Sequence, residues 1–497
     1  MPAIVAAARS AARRLYQAAI GPTRFGYDAV EEKGQRRPPR VRQQAEDDEL
    51  TASQRGKFTA TVRDLPRNYA IAAWMIRKHL DYCATFGFQA RTKNARFNRQ
   101  LETYIDAASQ PARFDVAQRH RLARFLRIAE ARRTLEGDYF LLKLATGHVQ
   151  GIEGDRIRTP WGSLPGGLKP EDLTHGVRTG PGGRATAYAL CNRTSGGGFQ
   201  FSRMIPARHI YQHAYFDRTD QVRGVGLVAP GVNTLQDTYE GISYALAKAK
   251  VTQLFGIKIQ RAADDAMGDV TGGIDADGKE DRSDYTVDFG RGPFQLDLDP
   301  GDDADFLESK QPSAEFRAFT MSSIAIALKS VDIPYSFYDE SFTNYAGNRQ
   351  AWLLYDQGAD AKRADNRELL DDWVRWRLRL AVLDGELTIP KSVGTVDDIA
   401  FEWIARGIPW IDPLKEIKAD AEAVKLGVTS RRRICKRSGV DWFDILGELE
   451  EEERELRERR PTMPAEAPPE PGEELATLAE RVDDLAELIE ESLRHAA

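Results

Sequence analysis

The spacing of apolar side chains predicts helices early in the chain. Over Leu65–Phe86 apolar residues recur near the helical period, and Pro66 falls in the expected first turn, so we predict a helix with one buried face. A second helical block is predicted over Val116–Leu135, and Gly137 is expected to end it. Residues 1–60 are polar and charged, which predicts an extended arm.

Short strands are predicted next, because brief apolar runs alternate with turns rich in glycine and proline. The predicted strands are Asp138–Ala145, Gly151–Arg156, Ala185–Asn192 and Ala207–Phe216. The first half of the chain is therefore expected to be α+β.

Helices dominate the second half of the pattern. They are predicted over Thr234–Phe255, Ala314–Ser330, Asn348–Leu383 and Lys415–Arg460. The Gly/Asp-rich segment Ala262–Asp305 separates the first two and holds only brief strand-like runs, as expected of a small protruding module or a mobile loop. The overall prediction is a helix-rich, multi-domain α+β protein.

The C-terminal segment carries a separate pattern. A proline-rich linker follows Pro461, and five apolar residues then recur at alternating spacings of three and four. These residues are Leu475, Leu478, Val482, Leu485 and Ile489. Such a short helix needs a partner, which is either its own domain or a second subunit.

Composition narrows the class of protein. The chain has 497 residues, of which 41% are hydrophobic and 29% charged, so it can bury cores for two to four domains. No apolar run approaches the roughly 18 to 20 residues that span a bilayer, and we expect neither a membrane segment nor a secretory signal. The net charge of −6 gives no reason to grip a polyanion tightly. DNA, if it is a partner, is expected to slide.

Motifs for common chemistry are missing from the sequence. There is no phosphate-binding loop and no dinucleotide fingerprint, so neither ATP hydrolysis nor a nucleotide cofactor is predicted. The three cysteines, at positions 83, 191 and 435, support no disulfide framework or thiolate cluster and favour the reducing cytoplasm. We predict no cofactor, no metal and no catalytic residue.

Two weaker hypotheses attach chemistry to particular residues. His209 and His213 are expected on one side of a strand, with Asp217 and Asp220 after them, which would suit a metal-dependent nuclease. The acidic residues between Asp297 and Glu308 lack the glycine and terminal glutamate of a calcium loop, so a solvated loop is favoured.

A rival hypothesis concerns Val428–Asp444. Thr429 or Ser430 as N-cap, a basic helix, and a turn at Gly439 are typical of a helix-turn-helix DNA-binding protein. The acidic run that follows, GELEEEERELRERR, would repel phosphate.

Three stretches, taken in order, resemble the lambda-type portal proteins of tailed bacteriophages. The matching residues of the first stretch are Gln221, Arg223, Gly224 and Pro230, and those of the second are Pro334, Tyr335, Asn344, Tyr345 and Arg349. Those of the third are Trp410, Asp412, Pro413, Lys415, Glu416, Gly427, Ser430, Gly439 and Asp441. The resemblance covers roughly residues 65–450. It departs from the family at Ala346-Gly347, where Ser-Ser is usual, and at Val331–Pro334, where a Gly-Val-Pro step is usual.

The resemblance implies a structural subunit that is not an enzyme. It would form a ring, commonly of about twelve copies, at one vertex of the capsid in the virion, after assembly in the host cytoplasm. Double-stranded DNA would pass through without sequence readout. The implied partners are other copies of the chain, the terminase large subunit, a head-tail adaptor, and the major capsid or scaffolding protein.

The resemblance also divides the chain into the parts of a portal fold, namely wing, stem, clip and crown. The implied parts are an N-terminal arm at 1–60, the α+β wing at 61–230, a first stem helix at 231–256, the clip at 257–311, a second stem helix at 312–331, the channel loop and long wing helix at 332–409, the crown at 410–460, and a proline-rich linker with an acidic helix at 461–497.

Site residues follow only from that resemblance. Tyr335, Tyr338, Asn344, Tyr345 and Arg349 would belong to the channel loop. Asp281, Asp284, Asp297 and Asp299 would contact terminase or the adaptor, and Arg431, Arg432 and Arg433 would face DNA from the crown. The aromatic residues of the long wing helix, Trp352, Tyr355, Trp373 and Trp376, are most simply core.

Overall fold

The structure is a computed structural model that describes residues 45–161, 168–253, 257–260, 303–306, 314–339, 345–407 and 413–459. The four clip aspartates, Asn344, the segment from 261 to 302 and the C-terminal heptad-like segment therefore lie outside the described residues.

Ten helices longer than one turn are described. They are α1 (Ala52–Asn68), α2 (Ala70–Cys83), α3 (Ala95–Ala108), α4 (Leu122–Glu136), α5 (Val232–Gln253), α6 (Ala314–Lys329), α7 (Tyr345–Leu383), α8 (Pro413–Lys425), α9 (Arg431–Arg437) and α10 (Trp442–Arg459), beside single turns at Glu46–Glu49 and Pro111–Phe114. The described strands are β1 (Phe86–Ala90), β2 (Asp138–Lys143), β3 (Val149–Glu153), β4 (Val177–Thr179), β5 (Ala185–Arg193), β6 (Phe199–Pro206), β7 (Ile210–Ala214), β8 (Ile257–Gln260), β9 (Asp303–Phe306) and β10 (Phe401–Ala405). The predicted helix-rich α+β class is confirmed.

The chain divides into two compact units. The first comprises Met1–Arg67, Arg132–Leu142 and Ile152–Ala229. Its main sheet has the order β4-β5-β6, with antiparallel pairing and a register shift between Leu190 and Cys191. A second antiparallel pairing joins β2 to β7, with Tyr139 opposite His213. The buried residues Leu173 and Ala189 form a small core, against which Leu168, Phe201 and Met204 pack.

The second unit comprises Asn68–Ala131, Lys143–Gly151 and Pro230–Ala497. The 39-residue helix α7 packs along α2, and α5 packs along α6. Trp373, on α7, is fully buried and meets the edge of the Phe114 ring. Tyr355 is also buried, whereas Trp352 and Trp376 are only partly covered. The interpretation of the α7 aromatic residues as core is therefore confirmed most clearly at Trp373 and Tyr355.

Two predictions fail near the N-terminus. The extended arm is wrong over residues 52–60, which lie in α1, because Thr59, Val62 and Leu65 bury one face at a spacing of three. The single helix predicted over Leu65–Phe86 is also wrong at its start. Pro66 lies in the last turn of α1, and the extended backbone of Tyr69 separates α1 from α2.

The predicted helix over Lys415–Arg460 is wrong as a single element. Gly427 and Gly439 adopt left-handed backbone angles, φ 74° and φ 80°, which end one helix before the next begins. Three helices, α8 to α10, result. The glycine predicted to end α4 does so, since Gly137 has φ 103°.

Several elements were missed, some with partners close by in sequence and some with distant ones. Helix α3, strands β4 and β6, and the antiparallel pair of β1 with β10 were not predicted. Among the helices the structure describes, none combines the length and apolar character needed to cross a membrane.

Candidate functional site

The segment that follows α6 is held in place by buried side chains and by Lys362 of α7. Val331 and Ile333 are fully buried on either side of Asp332, which has a left-handed φ of 64°. Nζ of Lys362 donates to the carbonyl of Val331 at 3.0 Å and pairs with the Asp332 carboxylate at 2.8 Å. Because this lysine is itself buried, the segment leaves α6 in a fixed direction.

An aromatic cluster supports the following turn, Tyr335–Phe337. The ring centroid of Phe337 lies 5.5 Å from Trp352 and 5.3 Å from Tyr355 on α7. Tyr82 of α2 meets Tyr355 edge-on at 5.0 Å, and Arg363 donates to the Tyr82 carbonyl at 2.8 Å. Edge-to-face aromatic pairs of this kind add about 0.5–1.5 kcal/mol each beyond burial. These contacts hold the turn Tyr335–Phe337 against α7.

The predicted channel-loop residues flank the undescribed residues 340–344. Tyr335 and Tyr338 lie before them, and the Tyr338 ring contacts the edge of Trp74 at 5.8 Å. Tyr345 is the first residue of α7. Arg349, one turn later, pairs with Glu416 of α8. Four of the five residues thus lie on either side of the undescribed residues 340–344.

The helix pair α5 and α6 presents apolar side chains to solvent. Tyr244 is 71% exposed on α5, and Phe319 and Ile326 are each 63% exposed on α6. At the foot of the pair, Gly231 lies against the Ser330 side chain, where a Cβ atom would meet Oγ at 2.9 Å. Large apolar residues of this exposure on two neighbouring helices form a surface suited to a protein partner.

Helix α9 carries the predicted DNA-facing arginines in its first turn. The Ser430 hydroxyl caps α9 by accepting from the Arg433 amide at 3.3 Å, as the sequence predicts. Arg431, Arg432 and Arg433 are exposed. The Arg431 guanidinium lies over Trp442, and Arg432 lies 3.6 Å from the carboxylate of Glu402.

The other cations of α9 are engaged by carboxylates. Nζ of Lys436 lies 2.6 Å from Glu402, and Arg437 pairs with Asp420. The element has a helix-turn-helix outline, but α9 has only seven residues. A helix of two turns, with its last cations neutralised, offers little to a major groove.

Arg223 is the residue whose role the sequence did not predict. The side chain is 2% exposed and pairs with the buried carboxylate of Asp138. Its Nη1 donates to the carbonyls of Ile157 at 2.6 Å and His175 at 2.7 Å, and Nη2 donates to the carbonyl of Gly154 at 2.8 Å. The guanidinium therefore links Asp138 to the backbone of Gly154, Ile157 and His175 within the first unit.

Asp47 completes this network from the N-terminal side. Its carboxylate accepts hydrogen bonds from the amides of Val222 at 2.6 Å and Arg223 at 3.1 Å. Gly224 follows, and its Cα abuts the carbonyl of Gly137 so closely that no side chain fits. The Gln-x-Arg-Gly turn that carries the resemblance thus connects several segments of the first unit. The sequence feature that could have indicated this role is a single arginine among apolar residues and glycines.

The metal hypothesis finds no support among the described residues. His209 is exposed and accepts from Nε of Arg208, whereas His213 is buried. The two rings thus occupy different environments. Within the described ranges, no three His, Cys, Asp or Glu side chains are arranged to hold a metal ion.

Comparison with protein-family models identifies the family of the chain. The family model for the phage portal protein, lambda family, matches residues 33–363, which is well over half of the chain. The chain belongs to the lambda family of phage portal proteins. The matched range holds the Gln221 turn, the α5 and α6 pair, and the start of α7, while the stretch from Trp410 to Asp441 lies beyond it.

Solved structures show weaker likenesses to this portal-family chain. The neck of a native gene transfer agent particle computed with C12 symmetry covers 76% of the chain and 93% of its own, at 14% identity and a TM-score of 0.43. The neck of an empty particle computed with C6 symmetry gives the same values. A chain from the virion of the native particle covers 78% and 99%, at 14% identity and a TM-score of 0.41. No curated protein matches the sequence.

Proposed function

We propose that the chain is the subunit of a closed ring at the portal vertex of a virion, and that double-stranded DNA enters and leaves through the centre. The observation that carries the proposal is the family match over residues 33–363. The role is structural and requires no catalysis, and assembly takes place in the host cytoplasm.

Ring closure has a physical basis in the α5 and α6 pair. Phe319, Ile326 and Tyr244 lie in solvent on a single chain. Identical copies arranged head to tail around an axis would cover these side chains through heterologous contacts. Burial of apolar area contributes about 25 cal/mol per Å², which favours the ring over the monomer.

The proposed passage of DNA suits the charge of the chain. A net charge of −6 provides no overall electrostatic attraction for phosphate. Contacts to the duplex would be non-specific and weakened by salt. We assign Tyr335, Tyr338, Asn344, Tyr345 and Arg349 to the channel loop. Arg431, Arg432 and Arg433 are proposed to face the packaged DNA.

The segment between the proposed stem helices α5 and α6 is the proposed clip. We assign it the contacts with the terminase large subunit and then with the head-tail adaptor, through Asp281, Asp284, Asp297 and Asp299. The capsid or scaffolding protein would contact the ring elsewhere. Deleting residues 262–305 tests this assignment, because rings should still form while packaging is lost. Packaging by the deletion variant would overturn the clip assignment.

A further inference from the structure

A cavity of about 720 Å³ lies in the first unit, between α1 and the loops that carry Gly154, Trp161 and His175. Its volume falls within the range of about 300–1,000 Å³ that is usual for ligand sites. Four arginines and three carboxylates line it, which leaves one net positive charge on its walls. These residues are Arg55, Arg63, Arg158, Arg223, Glu136, Asp138 and Asp155.

Two of these arginines are already neutralised. Arg223 pairs with Asp138, and Arg63 lies 2.6 Å from Glu136 and 3.1 Å from Asp155. The surplus positive charge therefore resides on Arg55 and Arg158.

Arg55 has no carboxylate partner in the described part of the chain. Its Nη1 donates to the carbonyl of Gly224 at 2.8 Å, but its Nε is buried without an acceptor. Burial, together with the nearby charge of Arg223, lowers the pKa of Arg55 to about 10. Arg55 therefore brings to the cavity a charged guanidinium whose hydrogen-bonding capacity its protein neighbours do not fully use.

Arg158 faces the cavity over an aromatic ring. Its guanidinium carbon lies 4.2 Å from the ring centroid of Phe199, and within the described ranges no carboxylate pairs with it. Trp161, on the rim, is 94% exposed, so the apolar lining continues onto the protein surface. A cavity with this apolar extension suits a chain segment better than an enclosed small molecule.

We infer that this cavity binds a peptide segment of a partner protein through one carboxylate, placed next to an aromatic or aliphatic side chain. The carboxylate is held by Arg55 and Arg158, and the neighbouring side chain packs against Phe199 and Trp161. A single carboxylate matches the one surplus positive charge, whereas a dianionic phosphate would face the three carboxylates of the wall. The inference does not depend on ring formation.

The test uses two fluorescein-labelled peptides, Gly-Gly-Phe-Glu-Phe-Gly amide and the same peptide with Gln in place of Glu. Fluorescence anisotropy with the full-length protein measures both affinities, and phenylacetate serves as an unlabelled competitor. We expect the Glu peptide to bind at least tenfold tighter than the Gln peptide, since a hydrogen bond to a charged group contributes about 1.5–3 kcal/mol. It should also bind at least tenfold tighter than phenylacetate.

Variants locate the binding site. Arg158→Gln and Arg55→Gln should each weaken binding of the Glu peptide about tenfold, since each removes one charged donor. Arg203→Gln is the matched control, because Arg203 is exposed on β6 of the same unit and does not line the cavity. Equal affinity for the two peptides, no binding, or unchanged binding by Arg158→Gln would overturn the inference. Phenylacetate binding as tightly as the peptide would replace the partner protein with a small carboxylate.

Discussion

The guanidinium of Arg223 and the carboxylate of Asp138 form a buried ion pair at the centre of the first unit, with Nη2 2.9 Å from Oδ1. Neither side chain is more than 2% exposed. Burial alone would lower the pKa of Arg223, but the charge and hydrogen bonds of Asp138 outweigh it and the pKa is raised. The pair connects strand β2 to the turn that precedes α5.

Replacing Arg223 by Met should leave Asp138 buried without its partner. Loss of one member of a buried pair costs about 3–5 kcal/mol, so the urea midpoint followed by circular dichroism should fall sharply. Arg203→Gln, on the exposed face of β6, should change stability by no more than about 0.5 kcal/mol. An equal response of the two variants would contradict the role assigned to Arg223.

Gly224→Ala should destabilise the first unit, because its added Cβ would meet the carbonyl of Gly137. We expect a lowered thermal midpoint and a cost of several kcal/mol. Gly56→Ala is the control substitution, because Gly56 lies inside α1 and nothing lies within 4 Å of the position its Cβ would take. That change should stabilise by up to about 1 kcal/mol. Tolerance of Ala at position 224 would show that the two backbones can separate.

The stability of the second unit should depend on pH because of His79. Burial lowers its pKa, but Cys83 and Glu130 raise it more strongly, to about 9, and Nε2 of His79 lies 2.7 Å from the Glu130 carboxylate. A pKa raised above its unfolded value means that protonation stabilises the fold. This contribution is complete below an unfolded pKa of about 6.5 and is lost as pH rises to about 9.

The measurement compares wild type with His79→Gln in urea at several pH values. The stability difference should be largest near pH 6 and shrink by up to about 3 kcal/mol by pH 9.5, at 1.36 kcal/mol per pKa unit. Comparison with the variant removes the titration of other groups. A difference that stays constant across this range would contradict a protonated His79 in the folded protein.

Phe319→Asp should prevent assembly, because a charge at the centre of a covered apolar surface is costly to bury. Native mass spectrometry of the variant should show the 55.7 kDa monomer in place of the assembly. Leu383→Asp is the control, since Leu383 is 80% exposed at the end of α7, away from the α5 and α6 pair. If the Phe319 variant still assembled, the α5 and α6 pair would not be part of the interface.

Local patterns were sufficient to predict the helices α5, α6 and α7 to within a few residues. They failed for the β1 and β10 pair, whose strands lie far apart in sequence. Phe88 lies opposite Trp403 in the β1 and β10 pair, and no short-range pattern connects residues so far apart in sequence. Helix α1 was missed because its buried face holds only Thr59, Val62 and Leu65, too few apolar positions to show a helical period.

The candidate sites divide in the same way. The turn at Gly439 and an N-cap at Thr429 or Ser430 depend on local chemistry and were predicted, and the structure selects Ser430. The role of Arg223 depends on Asp138, Gly154, Ile157 and His175, which converge only in the folded unit. The cavity beside Arg55 has no sequence signature, because its lining comes from six separate segments.

Copies of this chain should close into a ring. Negative-stain electron microscopy of the purified protein is the decisive measurement, because end-on views show the rotational symmetry. We expect closed rings of about twelve subunits with a central hole wide enough for a DNA duplex. Monomers or dimers at micromolar concentration would contradict it.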